Sequence, residues 1–288
     1  MEININKKNY CKKLLNYFLF IPLNRFFFNL TIKLNKNFYK FFFNFYSFLF
    51  GEKVKILYQN NFFYIKNHNA KWRFFHKKQG LMAYSNGLLQ RSIKLKKEYL
   101  IENINFNDND CIIDCGANNG DFFLCFKENI KYTGIEPSKI EYSNLSYNIK
   151  NQNLINKAAW KNSNSFLDFY VSGEFGDNSL IKIKSYTEIY KVKTITLDEI
   201  IDKISNNIKL IKIEAEGAEP EVLEGLSKHL GKVQYITIDC GFERGFRKES
   251  TLTQCTNYLL GNNFELVDFS DIRVVCLFQN KSINKNSH

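Results

Sequence analysis

The stretch DCGANNGD, residues 114–121, sets two glycines around an asparagine in the manner of a nucleotide-binding turn. It follows the short apolar run CII, residues 111–113, which is typical of a buried parallel strand. In a dinucleotide fold, the second glycine of such a turn lets the backbone approach a pyrophosphate closely. Asn118 stands in that place and fills the room, so the turn favours a nucleotide ligand without a pyrophosphate. S-Adenosylmethionine is such a ligand, because a sulfonium and an amino-acid tail replace the phosphates.

Acidic residues end the first two predicted strands after residue 100. Asp114 ends the first strand and offers a carboxylate for the ammonium of the amino-acid tail. Glu136 ends the second strand, KYTGIE, where its two oxygens can accept hydrogen bonds from both ribose hydroxyls. Ligands of open α/β sheets bind at the carboxyl ends of the strands. The two acids and the glycine turn therefore predict one cofactor site.

The chain beyond residue 100 alternates strand-like and helix-like patterns. Short apolar runs alternate with amphipathic stretches, and two of these stretches have a proline in their first turn. This alternation predicts an α/β fold with a doubly wound, Rossmann-like sheet, mostly parallel with a closing antiparallel strand. The predicted strands cover residues 111–116, 131–136, 154–160, 208–217, 233–241, 264–269 and 273–280.

The first 80 residues differ in composition from the rest and are predicted to form a basic, aromatic-rich N-terminal helical segment, with the main domain at 81–288. Residues 1–100 carry 19 Lys/Arg against 3 Asp/Glu, within a net charge of +11 for the whole chain. Residues 10–50 alternate aromatic blocks with Lys, Arg and Asn at a spacing compatible with an amphipathic helix. Three interpretations stay open: packing on the main domain, a peripheral contact with an anionic membrane, or an oligomer contact.

The N-terminal sequence and the cysteines indicate the cellular compartment of the protein. The N-terminus has a basic head, but no small-residue cleavage site follows its broken apolar run. No stretch reaches the roughly 20 apolar residues of a membrane span. The seven cysteines are odd in number and scattered, which favours reduced thiols. The sequence therefore predicts a cytoplasmic protein, with association at the inner face of the membrane left open.

Several motifs carry a family resemblance. DCGANNGD, followed by GIEPS, NKAAW, TLDEII and IKIEAEGAEPEVLEGL, resembles the FkbM family of S-adenosylmethionine-dependent methyltransferases over roughly residues 80–280. The resemblance implies a class I methyltransferase fold and O-methylation of a sugar or polyketide hydroxyl. DCGFERG and RVVCLFQN resemble a branch met in bacterial glycan-synthesis clusters, which implies a nucleotide sugar or glycan acceptor in surface-polysaccharide biosynthesis. Matching the family's motifs residue by residue assigns cofactor binding to Asp114, Gly116, Asn118, Gly120, Glu136 and Ala159.

Three acidic residues near the ends of the fourth and fifth predicted strands are the candidate catalytic groups. Strand alternation would send Glu214 and Glu216 to the same face, and a carboxyl whose pKa its neighbour raises could act as general base. The cluster could equally hold a divalent cation such as Mg²⁺. Asp239 is the favoured base, because it adjoins the loop GFERG. In that loop Glu243 and Arg244 are predicted to bind sugar hydroxyls or a phosphate.

A nucleic-acid methyltransferase or binder that uses the basic N-terminal region is the alternative from another class. An enzyme that methylates the N6 of adenine would have an (N/D)PP(Y/F) segment after the fourth strand, where this chain has EAEGAEP. The acidic domain that holds the glycine turn also argues against nucleic acid as the partner. The four histidines share no metal spacing, so none receives a catalytic role.

Overall fold

The computed structural model describes residues 29–31, 33–50, 54–67, 70–127, 129–173, 178–270 and 273–284. Much of the predicted amphipathic segment at 10–50, up to residue 28, lies outside the described residues, as does Cys11. No helix within the described ranges is both long and apolar enough to cross a membrane.

The described residues form fifteen strands and eight α-helices, here numbered in chain order. The strands are β1 (Lys55–Gln59), β2 (Phe62–Asn67), β3 (Ala70–Phe74), β4 (Cys111–Cys115), β5 (Lys131–Ile135), β6 (Asn153–Ile155), β7 (Ala158–Ala159), β8 (Phe166–Val171), β9 (Glu188–Ile195), β10 (Ile208–Ile213), β11 (Val233–Asp239), β12 (Phe242–Arg244), β13 (Glu249–Ser250), β14 (Phe264–Ser270) and β15 (Val275–Asn280). The helices are α1 (Lys36–Phe50), α2 (Lys77–Tyr84), α3 (Gly87–Glu98), α4 (Lys139–Asn148), α5 (Leu197–Ile201), α6 (Glu219–Glu224), α7 (Leu252–Gly261) and α8 (Lys281–Asn284).

A seven-stranded sheet in the order β14-β15-β11-β10-β4-β5-β6 forms the centre of the fold. The five neighbouring strands β6, β5, β4, β10 and β11 are parallel to one another. Strands β15 and β14 follow beside β11 in antiparallel pairing. Every residue of β4 is buried, because side chains on both faces pack into core clusters: Ile112 on one face and Ile113 on the other. The predicted doubly wound, mostly parallel sheet with an antiparallel closing strand is confirmed.

The strand order reverses at β4, which pairs with β5 on one side and β10 on the other. This is the switch point at which open α/β sheets form their ligand sites. In register, Lys212 of β10 and Gly134 of β5 lie on either side of Asp114. The acid that ends the first strand of the sheet therefore has a lysine beside it.

The N-terminal part is not entirely helical. Residues 55–74 contain the antiparallel sheet β1-β2-β3, where the sequence analysis expected helix. A single buried cluster joins Tyr39 of α1 and Ile65 of β2 to Ile112 and Leu210 of the central sheet. The apolar face of α1 and the small sheet thus cover one side of the main domain, as in the first of the three interpretations. The domain boundary at residue 80 stays a prediction.

Two strands are shorter than the sequence pattern indicated. The predicted third strand divides into β6, in the central sheet, and β7, which pairs with β9 in a separate small sheet with β8. The predicted strand 208–217 ends at Ile213, and beyond it Glu216 (φ 50°) and Gly217 (φ 95°) have left-handed backbone conformations outside the β region.

Candidate active site

A cavity of ≈ 620 Å³ opens at the carboxyl ends of β4, β5 and β10, where the strand order reverses. The glycine turn forms one wall, and the loop after β8 and the β12–β13 hairpin contribute others. Its size lies within the usual range of small-molecule sites. Its lining includes Gly116, Ala117, Asn118, Glu136, Ala158, Ala159, Lys212, Glu214, Glu216, Glu243 and Arg273.

The glycine turn needs its glycines for steric reasons. Gly116 has φ 75°, and a Cβ there would collide with the carbonyl oxygen of Glu214. Asn118 has φ 48°, in the left-handed region that asparagine tolerates better than most residues. Its side-chain Oδ1 accepts the backbone N–H of Asn119 at 2.8 Å and the amide of Gln79 at 3.1 Å. The asparagine thus occupies the place of the dinucleotide glycine and braces the turn with its side chain.

Glu136 faces the cavity from the end of β5 and is almost fully buried. Its Oε2 accepts the backbone N–H of Asn118 at 2.9 Å, and its Oε1 accepts the N–H of Ser138 at 2.8 Å. Each oxygen retains a second lone pair for another donor. Burial and the nearby Glu141 raise the pKa of Glu136 to about 8. The carboxyl is therefore fixed in orientation, with acceptor capacity left over.

Lys212 is a buried cation at the floor of the site that the sequence analysis missed. Its Nζ lies 3.0 Å from Asp114 Oδ1 and 3.0 Å from Glu214 Oε2, and it donates to the carbonyl oxygen of Gly116 at 2.8 Å. Burial alone would lower the pKa of Lys212, but Asp114, Tyr99 and Glu214 together raise it well above its usual value. The charged ammonium thus joins β4, β10 and the glycine turn.

Arg273, at the start of the segment RVVCLFQN, is the second cation of the site. One guanidinium nitrogen lies 2.6 Å from Glu214 Oε1 and 2.7 Å from Asp239 Oδ2. The position between these two carboxylates, where the sequence analysis allowed a divalent cation, is thus taken by a guanidinium. Within the described part of the chain no group of three His, Cys, Asp or Glu side chains could hold a metal ion. The magnesium prediction is not supported.

The family model for the methyltransferase FkbM domain matches residues 114–275, more than half of the chain. The match begins at the glycine turn and ends within β15. The chain belongs to the FkbM methyltransferase family. It is therefore a methyltransferase, of a family that uses S-adenosylmethionine. No curated protein sequence matches the chain significantly.

Solved structures of other methyltransferases show a distant likeness. The ribosomal protein L11 methylase of Lactobacillus delbrueckii subsp. bulgaricus is 12% identical, with 69% of this chain and 81% of that chain covered and a TM-score of 0.38. An rRNA methylase from Streptococcus thermophilus is 14% identical, with 66% and 97% covered and a TM-score of 0.38. TYW2 of M. jannaschii, in complex with AdoMet, is 15% identical, with 80% and 91% covered and a TM-score of 0.38. At such scores their acceptors say nothing about the acceptor of this methyltransferase.

The methyltransferase's predicted catalytic carboxylates are not equivalent. Because β10 ends at Ile213, strand alternation does not apply, and the expected pairing of Glu214 with Glu216 on one strand face is wrong. Lys212 and Arg273 outweigh the effect of burial and hold the pKa of Glu214 well below its usual range. A carboxylate bound by two cations is a weak base, so Glu214 is better suited to positioning than to proton transfer.

Asp239 is the favoured base of the sequence analysis, and the structure places it away from the cavity. Its side chain is 1% exposed and accepts hydrogen bonds from Arg273 and from the backbone N–H of Gly241, the latter at 3.0 Å. Burial and the nearby Glu214 raise the pKa of Asp239. An acceptor hydroxyl could not reach this carboxyl without displacing Arg273, so it is not the group that we assign as base.

Glu243 and Arg244, the two residues of the GFERG loop that were predicted to bind the substrate, lie in different environments. Arg244 donates from both terminal guanidinium nitrogens to the carboxylate of Glu221 of α6, at 2.6 and 2.9 Å, and also donates to the carbonyl of Gly217. In this structure Arg244 fixes the loop on α6 and does not line the cavity. Glu243 does line it, and among the described residues no cation or hydrogen-bond donor pairs with its carboxyl. Burial, with Asp239 and Glu214 nearby, raises the pKa of Glu243 to about 8.

The predicted site residues therefore divide into two groups. Asp114, Gly120, Asp239 and Arg244 lie outside the cavity wall and support it from below or from the side. For Asp114 the cause is full burial: Lys212 and the hydroxyl of Tyr132 occupy its oxygens. The predicted residues that line the cavity are Gly116, Asn118, Glu136, Ala159, Glu214, Glu216 and Glu243.

Replacing Lys212 by methionine tests the buried cation. Lys212→Met leaves Asp114, a fully buried carboxylate, without its counter-ion, so we expect a loss of about 3–5 kcal/mol in the free energy of unfolding at pH 8. Without the ammonium the folded-state pKa of Asp114 rises, and proton uptake stabilises the folded variant as the pH falls. The loss in the free energy of unfolding relative to the unmodified protein, measured by urea unfolding, should therefore be smaller at pH 5 than at pH 8.

The matched control is Lys203→Met, which removes a lysine whose side chain is 70% exposed in a surface pair with Glu199. We expect it to change stability by less than about 1 kcal/mol at either pH. Equal deficits for Lys212→Met at both pH values would contradict the assigned charge pair.

Proposed function

We propose that the protein transfers the methyl group of S-adenosylmethionine to a sugar hydroxyl of a nucleotide sugar or glycan in bacterial surface-polysaccharide biosynthesis. The observation that carries the proposal is the cavity itself. It brings Glu243, a half-buried carboxyl that forms no ion pair among the described residues, together with the glycine turn and Glu136. The resemblance of DCGFERG and RVVCLFQN to a glycan-synthesis branch supports the sugar acceptor. We place the reaction in the cytoplasm, on soluble acceptors or on acceptors carried at the inner face of the membrane.

The residues of the turn fit the proposed cofactor. Glu136 has a free lone pair on each carboxylate oxygen, which suits the two ribose hydroxyls. Asn118 stands where a dinucleotide fold has a glycine for its pyrophosphate, and Gly116 and Asn118 line the wall that the amino-acid tail would follow. Ala159 lies on the wall formed by β7, where an adenine would need a small neighbour. Asp114 and Gly120 shape the turn from beneath, through Lys212 and through close packing on Ile149.

Methyl transfer from a sulfonium requires few catalytic groups of the protein. When bound, S-adenosylmethionine supplies a methyl group that its sulfonium already activates. What remains for the protein is to align the acceptor hydroxyl, exclude water and accept the hydroxyl proton. We assign the last task to Glu243 and the orientation of the acceptor to Glu216, which lines the same cavity. Glu214, held by Lys212 and Arg273, and Asp239, held by Arg273, keep the floor of the site in place.

The charge of the outer cavity favours an anionic acceptor. Lys184 and Lys248 are both exposed and both line the cavity, the first on the loop after β8 and the second in the β12–β13 hairpin. The diphosphate of a nucleotide sugar would match two such cations. A neutral glycan would leave them unused, so a nucleotide sugar is the preferred acceptor class. RNA is the second candidate, because the basic surplus lies in residues 1–100.

Cofactor binding should depend on Glu136. Glu136→Ala removes two charge-assisted hydrogen bonds of about 1.5–3 kcal/mol each, so calorimetry should show at least a tenfold loss of S-adenosylmethionine affinity. In the free protein at pH 7 the carboxyl, with a pKa of about 8, is mostly protonated. Because ribose hydroxyls donate to the ionised form, binding should release a proton, seen as a buffer-dependent enthalpy that the variant lacks. Glu224→Ala, at a side chain 51% exposed, is the control. Unchanged affinity of Glu136→Ala would refute the assignment.

The acceptor class can be tested by methyl transfer from labelled cofactor to nucleotide sugars, neutral oligosaccharides and RNA. We expect nucleotide sugars to be methylated fastest. Combined Lys184→Gln and Lys248→Gln should raise the KM for a nucleotide sugar about tenfold or more with little change in kcat, because a diphosphate contact serves ground state and transition state alike. Lys203→Gln serves as the control at a distant exposed lysine. Methylation of RNA with no methylation of any sugar would replace the proposal by its alternative.

The base assignment predicts a pH profile. Since only an ionised carboxyl accepts a proton, kcat should rise with pH toward about 8, the pKa of Glu243, and then level off. Glu243→Gln should lower kcat by about 10²–10⁴ and flatten the profile. Glu249→Gln, at a side chain 60% exposed in the same hairpin, should leave both unchanged. A Glu243→Gln enzyme with wild-type kcat would show that the base lies elsewhere.

A further inference from the structure

Helix α1 has two apolar faces. Tyr39, Phe43 and Tyr46 point into the core. On the other side Phe38, Phe41, Phe45 and Phe48 are 64%, 71%, 52% and 66% exposed. At about 100° per residue these four positions fall within one narrow stripe, roughly opposite to the buried residues. We call this stripe the phenylalanine face. Among the described residues it is an aromatic surface that the packing of the domain leaves exposed.

Such a face is costly to leave in water. Soluble proteins rarely expose contiguous large apolar patches, and those that do generally use them to bind a partner or a membrane. Phe41 and Phe45 stack on each other, with ring centroids 6.4 Å apart, so the face is a continuous surface. The core below it does not need these side chains, because α1 is already anchored by the hydrogen bond from the Tyr39 hydroxyl to the carbonyl of Lys77 at 2.7 Å.

Basic side chains surround the first turn of α1. The Nζ of Lys77 donates to the carbonyl of Leu34 at 2.8 Å, which brings the start of α2 against the residues that precede α1. Lys33 and Lys36 are exposed in the same region. Apart from Glu52, residues 29–97 contain no Asp or Glu. The described residues of α1 and of the segment before it thus include lysines and no acidic residue, which is complementary to an anionic surface.

We propose that the phenylalanine face of α1 inserts into the interface of an anionic lipid membrane, with the basic residues at its N-terminal end on the headgroups. An interfacial helix buries its apolar face among the lipids and gains from nearby lysines that reach anionic headgroups, and Lys33 and Lys36 are exposed at the N-terminal end of α1. A second copy of the chain would bring two basic regions together, which repel each other. RNA would leave most of the four aromatic rings in water. The surface goes beyond the proposed methyl transfer and does not depend on it.

Sedimentation of the full chain with lipid vesicles tests the surface. We expect binding to vesicles of phosphatidylcholine with phosphatidylglycerol and much weaker binding to phosphatidylcholine alone. Phe41→Ser with Phe45→Ser should weaken binding about tenfold or more, because apolar area at the interface is lost. Phe166→Ser with Phe269→Ser removes two exposed phenylalanines elsewhere and should not change binding. Equal loss in both double variants, or equal binding to both lipids, would overturn the proposal.

A second measurement uses tryptophan substitutions, which leave the exposed apolar area nearly unchanged. Phe41→Trp should show a blue-shifted emission component that brominated lipids quench on anionic vesicles, whereas Phe166→Trp should gain none. Replacing Lys33 and Lys36 by glutamine should weaken vesicle binding about fivefold per lysine. Circular dichroism checks that each variant is folded. Absence of quenching in folded Phe41→Trp, or RNA binding that the serine variants abolish while vesicle binding persists, would refute lipid as the occupant.

Discussion

The floor of the active site depends on one buried ammonium. Lys212 Nζ lies between the carboxylates of Asp114 and Glu214 and also donates to the carbonyl of Gly116, so a single group joins two strands and the cofactor turn. A buried ion pair contributes little net stability compared with a well-packed apolar core, but it is costly to break. Its contribution here is geometric, because the turn cannot move relative to β10 without losing the hydrogen bond from the buried Lys212 ammonium to the carbonyl of Gly116.

The carboxylates of the site differ because their counter-ions differ. Glu214 has two cations beside it and remains ionised, while Asp239 shares one of those cations and is shut away from the cavity. Glu243, on the adjoining hairpin, is partly buried and forms no ion pair among the described residues, although the charge of Arg273 acts on it from a distance. Three acids of similar chemistry thus lie in three different electrostatic environments around two cations, Lys212 and Arg273.

Much of the fold and of the cofactor turn could be predicted from sequence, because both rest on local patterns. Apolar runs that end in Asp or Glu identified β4 and β5, and the glycine spacing identified the turn whose positive φ values those residues permit. The positions of Lys212 and Arg273 could not be predicted, since each acts on residues distant in sequence. The one available signal for Lys212 was a lone lysine within a buried apolar strand. The sheet at residues 55–74 was not predicted, because the many aromatic residues obscure the alternation of apolar and polar positions along its strands.

The side-chain amide of Gln79 braces Asn118 from outside the segment that defines the family, which begins at residue 114. Two neighbouring contacts have the same origin: Trp72 and Tyr84 both donate to Asp121, the last residue of the stretch DCGANNGD. Part of the scaffolding of this turn is therefore contributed by residues that precede the matched segment 114–275. A relative that keeps the turn but begins with a different N-terminal region must supply these donors anew, or accept a looser loop. Substitutions at Trp72, Gln79 or Tyr84 would thus change the support of the turn without any change within residues 114–275.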